Sequence, residues 1–316
     1  MNRLRIPALV LVAGFTVAAS PLDSPILLDR GHTTEGADVA RWGADGHEMA
    51  ATAAARGLPS GVPEFFRDAS DQLAYLNPEP DRWRNRDMSE MDQAFSYDHY
   101  IDFENVPDGA LDAPDRYEFL AALYRAELPK PERDVGMLPF HIMELYQRLV
   151  TEWSLWAAAT GTERDWIEAR IINDAGILGH YVTDGSQPHH TSIHFNGWNA
   201  SGVRQEPNPE GFTESRDFHG RFESGFVRRH VNGERVSAAA SAPPRRLSDA
   251  RPAVFEYLGQ THDQLRTLYR LENEFGFVED GTPAQETVDF AIERLAAGAE
   301  MLRDLWWSAW LDGTGQ

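Results

Sequence analysis

Apolar residues recur every three or four positions along most of the chain after Gly46, the spacing that lines one face of a helix. The Ala-rich run His47–Arg56 is the first such segment. Residues 116–127 and 138–160 follow. Residues 164–184 place Trp166, Ile167, Ile171, Ile172, Ala175, Leu178 and Val182 on one stripe. Further helices are predicted over 213–230 and 254–271. A long closing helix over 287–311 carries Leu295, Met301, Leu302, Leu305, Trp306 and Trp310. The two-residue alternation of half-buried strands is nearly absent. Proline and glycine cluster at 57–62, 77–80, 128–136, 207–211 and 242–252, which mark loops, and 185–212 reads as the longest connection. The pattern predicts a single, mainly α domain over 42–316, with long functional loops.

The first residues read differently. Arg3 and Arg5 precede an apolar run from Ile6 to Ala19, and Val17, Ala18 and Ala19 offer small side chains for cleavage after Ala19. This is the layout of a secretory signal over 1–19, and the run is too short to span a bilayer. Residues 20–41 are polar and aperiodic and read as a propeptide or disordered arm. The expected location is therefore secreted or periplasmic. With no cysteine in the chain, stability must come from core packing and bound metal. A net charge of −21 repels nucleic-acid backbones and anionic membranes at long range, which argues against a tight duplex binder. It does not exclude a hydrolase whose bound cations make one cleft locally positive.

The chemistry concentrates in His180-Tyr-Val-Thr-Asp184-Gly-Ser-Gln-Pro-His-His190. His180 and Asp184 are four apart on a predicted helix and share a face, and His190 follows six residues later. His219 and Glu223 repeat the four-residue spacing. Imidazole mixed with carboxylate suits zinc, with bonds of about 2.0–2.2 Å. His47, Asp81 and His99 add candidate ligands, each weak alone. His189 is a possible substitute for His190 or a lining residue. His194 reads as a solvated loop histidine and His141 as a packed core histidine, with contact to the site as its second reading. The Trp-rich closing helix reads as core, with a membrane-inserting wedge as the lesser option.

Taken together, Trp42-Gly-Ala-Asp-Gly-His47, Asp81, His99-Tyr100, His180-x-x-x-Asp184, Gln187-Pro188-x-His190 and His219-x-x-x-Glu223 resemble the zinc-dependent phospholipase C and single-strand-specific nuclease superfamily. The resemblance runs from Trp42 to the end and includes Leu305–Trp310. It implies a helical domain around a cleft holding three zinc ions. One would be held by Asp81, His99, His180 and Asp184. A second would share Asp184 and take His47 with the α-amino and carbonyl groups of Trp42. A third would be held by His190, His219 and Glu223. The resemblance also implies a zinc-activated water attacking phosphorus, with Asp81 as the catalytic residue that orients or deprotonates it. Because the ligand tryptophan is N-terminal in that family, a second cut after Arg41 is expected.

Glu223 stands where the nucleases carry aspartate, which favours a phospholipase C-like phosphodiesterase acting on phospholipid headgroups. The alternative is a single-strand nuclease or 3′-nucleotidase on the same metal site, with Phe195, Trp198 and Phe212 as stacking candidates. A non-catalytic zinc-binding protein is the minor alternative. No stable membrane span is expected, and the resemblance favours a monomer.

Overall fold

The computed structural model describes residues 42–85, 87–200 and 205–316. The signal segment, the 20–41 arm and the cut after Arg41 lie outside the described residues. The described chain is mainly helical. It contains no strand, and an isolated bridge between Phe195 and Gly197 is its only β pairing.

Seven helices frame the domain. They are α1 (Ala44–Arg56), α2 (Ser70–Leu76), α3 (Leu138–Ala158), α4 (Thr162–Asp184), α5 (Ala250–His262), α6 (Leu265–Glu274) and α7 (Gln285–Thr314). The 30-residue α7 is the central column and packs against α1, α3 and α4. Its closing aromatics are core: Trp306 is 1% exposed and Trp310 is 7% exposed. The Trp306 indole donates to the Ala175 carbonyl of α4 at 3.1 Å, and Phe66 stands edge-on against its ring. That burial accounts for the tryptophans without a membrane wedge. No helix among the described residues is long and apolar enough to cross a membrane.

Only Ala159, Thr160 and Gly161 separate α3 from α4, a length that folds two helices back on each other. Gly161, at φ 58°, takes the left-handed turn residue this requires. The end of α2 approaches α4 very closely. A Cβ on Gly176 would lie 2.4 Å from Leu76, and one on Gly179 would lie 2.4 Å from Asn77. Glycine at these two positions lets α2 seat against the half of α4 that carries His180 and Asp184.

Four features depart from the periodicity. The proline-marked stretch 77–80 is partly helical, because Glu79–Trp83 is a short helix with Pro80 in its first turn, where a missing N–H costs nothing. Pro131–Val135 does the same inside the 128–136 loop. The helix expected over 254–271 is two helices, α5 and α6, broken at Asp263 and Gln264. The helix expected over 213–230 starts only at Phe218, and Arg221–Phe226 winds as a π-helix.

Between α3 and α4, Glu152 and Asp174 are buried side by side, 2% and 4% exposed. Arg170 reaches Glu152 at 3.1 Å and Arg148 reaches Asp174 at 2.6 Å. Burial, then the neighbouring Asp174 charge, pushes the Glu152 carboxyl up to about 7. A raised carboxyl favours the protonated fold, so its stabilisation is complete below pH 4.5 and is lost as pH rises through 7. The shift corresponds to roughly 3 kcal/mol at most. Glu152→Gln should therefore flatten the fall of Tm between pH 4.5 and pH 7 and raise Tm at pH 8. Thermal melts across that range check this, and an unchanged pH profile would exclude Glu152 as the titrating group.

Candidate metal centre

Seven segments converge at one place. α1 supplies His47, the Glu79–Trp83 turn supplies Asp81, and a 3-10 turn at Ser96–His99 supplies His99. The last turn of α4 supplies His180 and Asp184, and a 3-10 turn at Pro188–Thr191 supplies His190. His219 comes from Phe218–Gly220 and Glu223 from the π-helix after it. Extra residues in a helical turn re-aim side chains, and such π segments often occur at functional sites.

Their ligand-type atoms gather into three groups, each within 4.8 Å: His47, His180 and Asp184; Asp81, His99 and His180; and His190, His219 and Glu223. The eight side-chain candidates read from the sequence are thus all brought together. Asp184 joins two groups through different oxygens. Its Oδ2 lies 2.9 Å from His99 Nδ1 and 3.2 Å from His180 Nε2. Its Oδ1 faces His47 Nε2 at 3.5 Å and His190 Nδ1 at 3.4 Å. Asp81 Oδ1 lies 3.9 Å from His99 and 3.7 Å from His180. In the third group, His219 Nε2 and His190 Nε2 stand 2.9 and 3.6 Å from Glu223 Oε2.

These residues fit a cation. Ligands around a tetrahedral ion with bonds of about 2.0–2.2 Å sit roughly 3.3–3.6 Å apart, and the observed separations of 2.9–3.9 Å straddle that. His47 Nε2, Asp184 Oδ1, His190 Nε2 and Glu223 Oε1 are buried with no hydrogen-bond partner. Orphaned buried polar atoms are expensive, and four in one cluster point to a missing positive partner. The nitrogens His99 Nδ1 and His180 Nε2 are 2.9 Å apart, a distance that needs a proton or a cation between them. Nitrogen and oxygen donors without thiolate suit zinc, though the donor set alone does not name the metal.

The electrostatics suit a cation for most of the cluster, while at His190 burial is outweighed by Asp184 and Glu223, which raise it to about 9. Burial, then the neighbouring His180, lowers His47 to about 4, and burial holds His99 well below the usual histidine range. Both rings are therefore neutral at neutral pH, as a ligand must be. Burial works against ionising Asp184, yet His180 and His190 beside it hold its carboxyl well below the ordinary range. Burial likewise opposes Glu223, but His219 and His190 bring it down to about 2.

Groups around the ligands orient them. His47 Nδ1 meets Asn77 Oδ1 at 2.8 Å, and His190 Nδ1 donates to the His99 carbonyl at 2.8 Å. Gln187 Nε2 donates to Glu223 Oε2 at 2.9 Å. Neither the Asn77 contact nor the Gln187 contact carries a sequence signal, because each links residues more than 29 positions apart.

Other residues take different places. Trp42 offers no side-chain ligand. Its indole is fully buried against Phe222, and the Gly43 N–H reaches the Glu223 carbonyl at 3.4 Å, so this segment lies on the π-helix. His189 is in none of the three groups; it is buried among Phe218, His219, Phe222 and Tyr269. His194 is not a solvated histidine. It is 1% exposed and stacks on Trp198 at 3.8 Å, because the loop packs into the main core. There Trp198 and Phe212 meet Tyr269 of α6 and are 4% and 2% exposed, so neither presents a face for stacking. His141 sits in an ion-pair cluster with Arg116, Asp98 and Glu144, and its ring meets Tyr181 edge-on at 4.3 Å.

No protein-family model matches this chain, and no curated protein matches it either.

Because Asp184 faces His47 with one oxygen and His99 with the other, Asp184→Asn should cost more than one bound ion per chain, whereas His190→Ala should cost one. Metal analysis after dialysis reads the difference. Equal losses in the two variants would show that Asp184 does not bridge. Chelation should also lower Tm, since metal binding adds to folding free energy.

Proposed function

We propose that residues 42–316 form an exported, zinc-dependent phosphoric diester hydrolase of the phospholipase C type, acting on phospholipid headgroups. One observation carries the reading. Asp184 turns its two oxygens to two adjacent histidine groups, in a buried cluster whose remaining lone pairs have no partner. The residues that form it are those of the resemblance described above, in the same order along the chain. The fold of that superfamily, three zinc ions, export through residues 1–19 and a monomeric state belong to the same proposal.

In this reading Asp81, His99, His180 and Asp184 hold one ion, Asp184 and His47 hold a second with Trp42 main-chain groups, and His190, His219 and Glu223 hold a third. Ions bound there would supply Lewis acidity and bring the pKa of a water toward 7. Asp81 is the ligand-group carboxylate most open to solvent, with its side chain 19% exposed against 0% for Asp184 and Glu223. In this reading it would be the carboxylate that orients the attacking water and accepts its proton. Asp184 and Glu223, dry and ionised, fix charge at the floor of the site. Gln187 keeps Glu223 aimed through its amide.

The same groups would serve a single-strand nuclease. The burial of Trp198 and Phe212 weighs against it, because sequence-tolerant strand binding relies on exposed aromatic faces, and half-buried Phe195 alone of the three candidates keeps an accessible surface.

Two measurements test the proposal. The purified protein, as the full chain and after removal of the segment ahead of Trp42, is offered short-chain phosphatidylcholine and single-stranded DNA at equal zinc. Chelator-sensitive release of phosphocholine, faster than DNA cleavage, is expected, and the reverse order would make the enzyme a nuclease. Asp81→Asn should cut turnover about 10²–10⁴-fold, the usual worth of a general base, while most metal stays bound. Activity within threefold of the parent would remove Asp81 from the mechanism.

A further inference from the structure

The geometry points to Asn77 as the positioning residue that sets the tautomer of His47 and thereby the metal affinity of the group it shares with Asp184. The inference rests on the metal-centre reading above and adds to it a residue that no motif contains.

Asn77 sits at the end of α2, where its N–H still bonds the Leu73 carbonyl. Its side chain is fully buried and crosses from α2 to α1, meeting His47 Nδ1 through Oδ1 at 2.8 Å. A carbonyl oxygen accepts only, so this contact places the imidazole proton on Nδ1. Nε2 is then left with a free lone pair. That atom has no partner in the protein and lies 3.5 Å from Asp184 Oδ1. The ring itself is held by stacking on His180, with centroids 4.1 Å apart. Stacking fixes the plane of the ring, and Asn77 chooses which nitrogen is free.

Two further observations separate this from ordinary helix packing. Asn77 Nδ2 is buried with no hydrogen-bond partner. An apolar side chain of similar size would fill the space without that penalty, so packing alone does not favour asparagine here. Room for the amide also depends on Gly179, one residue before His180, where any Cβ would fall 2.4 Å from Nδ2. α4 is thus cut away at the point where the carboxamide must enter. The oxygen facing His47 is the atom that benefits, as expected of a group that orients a metal-binding imidazole.

The test uses the full-length protein. In the metal-free wild type, long-range ¹⁵N–¹H correlation should show His47 as the Nδ1–H tautomer; the Nε2–H form would overturn the proposal. Asn77→Leu should weaken zinc at the His47 position by about 10–100-fold, the usual effect of losing such a partner. The His190 group should bind as before and so report that the variant is folded. Asn77→Asp, which keeps an acceptor oxygen, should restore affinity to within about threefold of wild type, a rescue that a purely structural role does not predict. Wild-type affinity at the His47 position in Asn77→Leu would overturn the proposal. Should Asn77→Leu fail to fold, the wild-type tautomer and the Asn77→Asp affinity decide the matter. A wild type that binds no zinc would sink the metal-centre reading, while the tautomer would still test Asn77.

Discussion

The carboxylate of Asp184 is the constraint around which this domain is arranged. It is fully buried and forms the last residue of a 23-residue helix. A helix C-terminus is the negative end of the peptide dipoles, so a buried anion there is opposed by its own backbone as well as by the low dielectric. It persists because four histidines from four segments meet it: His47, His99, His180 and His190. Burial keeps His47 and His99 neutral, so these two rings do not balance the charge. The arrangement makes electrostatic sense as half of a pair whose other half is a cation.

The scaffold serves that pair. α7 contributes none of the eight ligand side chains, yet it is the surface on which α1, α3 and α4 are held. Ligands on long packed helices, such as His47 and His180, inherit the rigidity of the core. Asp81, His99 and His190 sit on single turns, and His219 and Glu223 share the helical run from Phe218 to His230. These turns are anchored individually, as where the Ile101 N–H bonds the His190 carbonyl and ties two of them together. On the far side, Tyr181 lies between the ligand His99 and the Arg116–Asp98–His141 cluster, so the ligand wall is backed by a charged network rather than by solvent.

The helical class was legible in the sequence because the 3.6-residue period is unbroken over the long helices, where burial of one face decides everything. His180, Asp184 and His190 were legible for a related reason: the first two share a turn of one such helix. What was hidden depends on contacts between distant segments. The helix at Glu79–Trp83 is masked by prolines that happen to fall in a first turn. The break between α5 and α6 is hidden because the apolar spacing runs straight through it. The π-helix at Arg221–Phe226 leaves the i, i+4 relation of His219 and Glu223 unchanged in the letters while altering its geometry. His194, Trp198 and Phe212 looked like loop residues because nothing local announces that the loop packs into the main core. Asn77 gives no local sign at all; its meaning lies in a histidine 30 residues away.

The spread of the ligands along the chain carries a consequence for order in time. His47 and Glu223 bracket a span that takes in α1 to α4, and the helix that holds those elements in register is the last one in the chain. Contacts of such long sequence separation form late, after the entropy of closing large loops has been overcome. Only the local pairs His180 with Asp184 and His219 with Glu223 come together without closing a large loop. A metal ion bound at this cluster would therefore not nucleate the fold. It would arrive at a nearly finished structure and slow its coming apart, acting as a lock on the topology and not as a seed for it.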